Sequence, residues 1–125
     1  MGMKLLWIAV AGAFGTLSRY GLAGLVQRFA GEGFPWGTFV VNAAGCFLFG
    51  LVWMIADRHI HFPAGARAAL LIGFMGAFTT FSTYIFESAE LVRAGQYIAA
   101  AGNLGGQLAI SAIALILGTM LGRLV

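Results

Sequence analysis

The sequence predicts an all-α membrane protein of four transmembrane helices, the third broken mid-membrane. Three observations carry that prediction: a surplus of apolar residues, four long apolar runs with short polar breaks, and one run with glycine and hydroxyl residues at its middle. Of 125 residues, 61% are hydrophobic and 9% charged, against roughly 25% charged in an average soluble domain. At a mean hydropathy of +0.94 there are too few polar groups to coat a globule in water, so lipid must solvate much of the chain. A membrane helix needs about 20 apolar residues. Four of them plus short loops use up the length, so the expectation is a single transmembrane domain over 1–125 with no room for a soluble one.

The first span is read over residues 5–29. It follows Lys4, carries Arg19 and Arg28, and runs past the length of a signal-peptide core without a small-residue cleavage site, so it reads as a span. Ala30-Gly31-Glu32-Gly33 ends it. The second, 36–56, follows Pro35, which a helix tolerates in its first turn. Asp57, Arg58, His59 and His61 then form a polar loop closed by Pro63. The third span is read over 64–92 and the fourth over 97–124.

The middle of the third span is Gly73-Phe74-Met75-Gly76-Ala77-Phe78-Thr79-Thr80-Phe81-Ser82-Thr83-Tyr84. Hydroxyl side chains compete here for backbone hydrogen bonds. A helix breaks at membrane depth only where the freed backbone is buried in protein or lines a cavity, and freed carbonyls serve as ion ligands in transporters. This stretch is the predicted functional centre.

Small residues recur four apart at Ala11 and Gly15, Gly73 and Ala77, Ala101 and Gly105, and Gly118 and Gly122. They let backbones approach closely, as in a tight bundle or oligomer. With the termini on one side, that side holds Lys4, Arg58, Arg67 and Arg123, while Arg28 and Arg93 lie opposite. So weak a positive-inside bias permits insertion both ways, and hence an antiparallel homodimer. The basic residues are scattered singly at a net charge of +3, which fits lipid headgroups and no nucleic-acid partner. The lone Cys46 has no intrachain disulfide partner and reads as a packed thiol.

No catalytic set is visible, and no enzyme is expected. His59 and His61 lie in a loop far in sequence from the hydroxyl cluster, which argues against a Ser-His-acid triad. They also fall short of the three or four ligands a zinc site uses. No glycine-rich phosphate loop follows a strand. What remains is a set of uncharged polar groups at membrane depth. Asn42 lies one turn after Thr38, and Asn103, Gln107 and Ser111, four apart, form one stripe. An unpartnered amide in lipid costs several kcal/mol. These groups therefore either bond between helices or line a wet path. Such a path would offer amide and hydroxyl donors without the buried carboxylates of a cation relay, which suits a small anion. Phe81 and Tyr84, three apart, either pack in the core or turn the positive edges of their rings to that anion.

Three motifs in order add a resemblance. The first span carries Gly12-Ala13-Phe14-Gly15-Thr16-Leu17-Ser18-Arg19-Tyr20, and the second carries Gly37-Thr38-Phe39-Val40-Val41-Asn42-Ala43-Ala44-Gly45. The third carries the Gly73 to Tyr84 stretch. At these residues, and nearly end to end, the chain resembles the Fluc/CrcB fluoride channels. The resemblance implies a dual-topology, antiparallel homodimer in the cell (inner or plasma) membrane, with two pores that export fluoride passively. It places Asn42, Phe81 and Tyr84 on the pore, with Thr38, Ser82 and Thr83 along the pathway. It places Asn103, Gln107 and Ser111 on a polar track and Arg19 at a vestibule. The backbone carbonyls of Gly76 and Thr79 fall where both subunits hold a structural Na+, and Glu87 falls on an acidic position of unsettled role. Tyr84 stands where the family usually has a second phenylalanine, and Ala77 where it has a second glycine.

Two other functions compete. A small dual-topology multidrug exporter would use a membrane glutamate in its first helix, and 5–29 contains no acid. A non-transporting membrane scaffold would explain the small-residue spacings but neither the broken helix nor the polar stripe.

Overall fold

Four helical stretches long and apolar enough to cross a membrane account for nearly all of the computed structural model, which describes residues 1–59 and 61–125. Helix α1 is Gly2–Ala30 and α2 is Trp36–Arg58. Gly31 ends α1 with φ 89°, in the left-handed region that glycine enters without strain. Gln27 then stitches the connection: its Nε2 donates to the Gly31 and Phe34 carbonyls, and its Oε1 accepts from the Gly37 N–H. Pro35 caps α2 just before its first turn, as the sequence predicts.

The third stretch is two helices. Helix α3a starts as Ala64–Ala68, widens into a π segment over Ala69–Phe74 and closes with the turn Met75–Phe78. Thr79 and Thr80 are extended, with ψ 156° and 110°. Helix α3b is Phe81–Arg93. The threonines make this break. Thr79 Oγ1 turns back to donate to the Met75 carbonyl at 2.9 Å, and Thr80 caps α3b by accepting from the Thr83 N–H. An N-cap hydroxyl of this kind is worth about 1 kcal/mol.

The glycines ahead of the break have another task. A Cβ on Gly73 would stand 2.6 Å from the Ile8 carbonyl oxygen and 3.1 Å from Ala11 Cβ, while one on Gly15 would collide with the Phe74 carbonyl. So the small pairs Ala11/Gly15 and Gly73/Ala77 face each other, and α1 meets α3a backbone to backbone.

Helix α4 spans Tyr97–Gly122 and contains a second π segment, Gly102–Gly106, that the sequence reading does not anticipate. Its lower half lies along α2. Gly118 abuts the Phe47 carbonyl, Gly122 the Leu51 carbonyl, and Gly50 of α2 returns the contact against Leu115. Ala101 and Gly105 are different, since both are exposed and open space surrounds Gly105. The resulting order is α4, α2, α1, α3a, and the break carries α3b back across α2 onto the first half of α4. Among the described residues the buried polar side chains are Thr38, Asn42, Ser88, Asn103 and Gln107, none of them charged.

Gly118→Ala should destabilise the bundle by about 1–3 kcal/mol, the usual cost of overpacking. Gly105→Ala should leave it unchanged or slightly more stable, as expected for alanine in a helix. Thermal unfolding of both variants in the same detergent checks this. Equal loss in the two would show that close approach at Gly118 is not what holds α2 to α4.

Candidate functional site

The break at Thr79 and Thr80 leaves backbone groups that a continuous helix would have paired four residues apart. Asn42 on α2 takes two of them. Its Oδ1 accepts from the Thr80 N–H at 2.8 Å, and its Nδ2 donates to the Thr80 carbonyl at 3.0 Å. The side-chain amide thus matches a peptide group, donor to acceptor and acceptor to donor. The other Asn42 N–H goes to Gln107 Oε1. From there the bonds run on through α4 to α3b. Gln107 Nε2 donates to Asn103 Oδ1 at 3.0 Å, Asn103 Nδ2 donates to Ser88 Oγ at 2.8 Å, and Ser88 Oγ donates to the Tyr84 carbonyl at 2.8 Å. One relay therefore ties α2, α4 and α3b around the break, each bond polarising the next.

Arg19 of α1 reaches the same place: its Nε donates to the Ala77 carbonyl at 3.0 Å. On the far side, Thr38 Oγ1 donates to Glu87 Oε1 at 2.8 Å, while Glu87 Oε2 is buried without a hydrogen-bond partner.

Two cavities flank the clasp, and Thr80 lines both. The larger, about 700 Å³, is bordered by Arg19, Arg28, Thr38, Thr83 and Glu87. The smaller, about 220 Å³, is bordered by Asn42, Cys46, Thr79, Phe81, Tyr84, Gln107 and Ser111. Ser111 Oγ is buried and has no hydrogen-bond partner among the described residues. Phe81 is 75% exposed and Tyr84 8%, their ring centroids 5.8 Å apart and tilted by 56°. The Tyr84 hydroxyl donates to the Leu104 carbonyl at 2.6 Å, inside the π segment of α4. Its proton is thus engaged by the protein, and the ring is held at both ends.

Most of the residues singled out from sequence converge. Arg19, Thr38, Asn42, Thr79, Phe81, Thr83, Tyr84, Gln107 and Ser111 border the two cavities. Asn103 lies beyond them, fully buried in the relay, and Ser82 is exposed beside Phe81. Within the stripe, Asn103 and Gln107 are bonded between helices, and Ser111 alone keeps an unpartnered hydroxyl. Cys46, expected to be packed, is half-buried at the cavity wall. His59 Nδ1 lies 2.9 Å from the Ile55 carbonyl, and no cluster of metal-ligating side chains occurs among the described residues. The reading of the sequence missed Ser88, and it placed Thr80 in the functional centre without giving it a role of its own. Thr80 carried a signal, an N-cap hydroxyl three residues before Thr83.

The Gly76 and Thr79 carbonyls also lose their helical donors. The Thr80 N–H that would serve Gly76 goes to Asn42, and the Thr83 N–H that would serve Thr79 goes to Thr80 Oγ1. Gly76 is exposed and Thr79 half-buried. Uncharged carbonyl oxygens without donors, on an outer face, are the chemistry a hard cation such as Na+ takes.

The sequence matches the family described as "CrcB-like protein, Camphor Resistance (CrcB)" over residues 6–119. It is 56% identical over 122 residues to a "Fluoride-specific ion channel FluC" of Solidesulfovibrio magneticus, with 98% of each chain covered. A protein of the same name from Nitratidesulfovibrio vulgaris is 52% identical over 122 residues, again covering 98% of each chain. One from Nitrosococcus oceani is 48% identical over 125 residues and the full length of both.

Asn42→Ala would orphan the Thr80 N–H, the Thr80 carbonyl and Gln107 Oε1, at about 1–3 kcal/mol each. A total loss above about 3 kcal/mol is expected, against about 1 kcal/mol for Tyr84→Phe, which removes a single hydrogen bond. Thermal denaturation in detergent ranks the two. An Asn42→Ala protein as stable as Tyr84→Phe would mean that the clasp does not hold the break.

Proposed function

The chain belongs to the CrcB-like protein family, and we propose that it is a fluoride-selective ion channel, not an enzyme, that lets F⁻ leave the cell down its electrochemical gradient. The observation that carries this reading is the pair of cavities meeting at Thr80, one beside the Arg19 and Arg28 guanidinium groups and one beside the Phe81 ring and the Ser111 hydroxyl. A cationic vestibule raises the local concentration of anions. Beyond it the free groups are uncharged: the Ser111 hydroxyl and ring edges with a weak positive potential. Conduction needs binding strong enough to enter and weak enough to leave, and such donors supply it where fixed charges would trap the ion. Between the cavities stands the clasp of Asn42 and Thr80, so an ion that passes exchanges briefly with the Asn42 amide donors.

The functional unit we propose is an antiparallel homodimer in the cell membrane. Phe81 and Gly76 are exposed on a single chain, and a second copy would cover them and complete a pore on each side. The weak bias of flanking basic residues supports insertion in both orientations. The Gly76 and Thr79 carbonyls of two copies would hold a structural Na+, whose charge would offset the concentrated carbonyl dipoles at the crossing. An exporter reading lacks an acid in the first span, and a scaffold reading leaves the cavities and the unpartnered Ser111 without use.

Liposomes loaded with potassium fluoride and carrying the purified protein should release fluoride quickly on addition of valinomycin, while chloride-loaded vesicles release almost nothing. Phe81→Ile should slow fluoride release at least about tenfold, the effect of losing about 1.4 kcal/mol at the ion. A fluoride electrode reads both. Absence of fluoride efflux, or equal chloride efflux, would end the channel reading. Withdrawing Na+ should loosen the dimer, seen as a shift toward monomer in single-molecule photobleaching, and an unchanged distribution would remove the Na+ site.

A further inference from the structure

Where α2 ends and α3a begins, a groove of about 380 Å³ opens between Phe49 and Trp53 on one side and Arg67, Leu71 and Ile72 on the other. The Arg67 guanidinium lies over the Trp53 ring, 4.3 Å from its centroid. Phe49 stacks on Trp53 at 6.3 Å with the rings nearly parallel, which extends the aromatic wall. With its central carbon over the ring, the Arg67 guanidinium makes no hydrogen bond among the described residues, so its N–H fork is free. That fork is the geometry that grips phosphate through two parallel bonds. Among the described residues the Arg67 side chain has no ion-pair partner; the ion pair they contain is that of Arg93 with Glu90, at the other end of the bundle.

The groove has a direction. Arg67 stands in the first turns of α3a, whereas Leu71 and Ile72 lie about 6–8 Å deeper along the helix axis. A tryptophan at its mouth matches the depth of lipid headgroups. The neighbouring helix ends contribute Lys4, Arg58 and Arg123 against Asp57, so this end of the bundle is positive.

We propose that the groove is a binding site for an anionic phospholipid of the bilayer. Its phosphate pairs with the Arg67 fork, and one acyl chain lies along the exposed Phe49, Trp53 and Ile72. A zwitterionic lipid brings an ammonium group to the same positive end and binds less well. The site needs only that the chain spans a membrane, and it is separate from the cavities at Thr80.

Trp53 itself reports on the site. In protein carrying Trp7→Phe and Trp36→Phe, reconstituted in phosphatidylcholine, brominated phosphatidylglycerol should quench Trp53 about fivefold more per mole than brominated phosphatidylcholine, the gain expected from one cation near a headgroup. Arg67→Gln should remove that preference, and Arg67→Lys, which keeps the charge but not the fork, should keep part of it. Should Arg67→Gln fail to fold, raising salt to about 1 M with the unsubstituted arginine should erase the preference instead, because the screening length falls to about 3 Å. Equal quenching by the two lipids, or a preference that survives Arg67→Gln, overturns the proposal. So does absence of quenching by either lipid, the result expected if a second copy of the chain covers the groove.

Discussion

Everything in this structure depends on how a broken backbone is kept satisfied inside a bilayer. A peptide group left unpaired in hydrocarbon costs several kcal/mol, and the break at Thr79 and Thr80 exposes more than one. The solution is a side chain that imitates a peptide. Asn42 offers one acceptor and two donors on a rigid amide, and two of these meet Thr80 head-on. Aspartate lacks the donor, a hydroxyl is too short to reach both groups, and glutamine would have to give up another rotamer. The Asn42 amide then has one N–H to spare, and that proton starts the relay through Gln107 and Asn103 to Ser88. Three helices are thus registered to one another by a single orientation of amides.

The clasp requires its neighbours to be close, and glycine supplies the closeness. With Gly15 and Gly73 bare, α1 lies against α3a backbone to backbone. That contact brings Arg19, one helical turn beyond Gly15, level with the end of α3a, where its Nε caps the Ala77 carbonyl. The guanidinium then does two things at once: it satisfies part of the break and puts a positive charge at the mouth of the larger cavity. A charge at this depth is tolerated because it faces protein and a polar cavity instead of lipid. Packing, backbone satisfaction and electrostatics are therefore one arrangement, and the small residues four apart are its precondition.

Much of this was legible in the sequence, for definable reasons. The four helices follow from apolar length, and the break follows from a cluster of hydroxyls that compete for backbone bonds. The facing of Ala11/Gly15 with Gly73/Ala77 follows from spacing. What the sequence could not give was partnership. A stripe of Asn103, Gln107 and Ser111 looks the same whether its members bond to each other or face water. Only the relay separates the two amides from the serine. The π segments were hidden for a similar reason, since a widened turn is set by what the helix packs against. Tyr84 shows the limit most clearly. A phenolic hydroxyl can donate to an ion, yet this one is engaged by Leu104, a carbonyl exposed by a turn that the sequence does not announce.

That engagement shapes how the proposed pore would treat its ion. Along the smaller cavity, the Thr79 hydroxyl, the Asn42 and Gln107 amides and the Tyr84 hydroxyl already donate to protein oxygens. What stays open is the Ser111 hydroxyl, the Cys46 thiol, one Gln107 N–H and the exposed Phe81 ring. These few uncharged contacts do not replace the water shell of a strongly hydrated anion. An ion would therefore have to borrow the Asn42 donors for an instant, which leaves the Thr80 carbonyl and Gln107 Oε1 without a donor while it lasts. A larger anion of the same charge gains less from each donor, since its charge is more diffuse, and so recovers less of the cost of opening the clasp. On this argument discrimination between anions arises from what must be disturbed in the protein as much as from what contacts the ion, and the pinned ring of Tyr84 keeps that disturbance local.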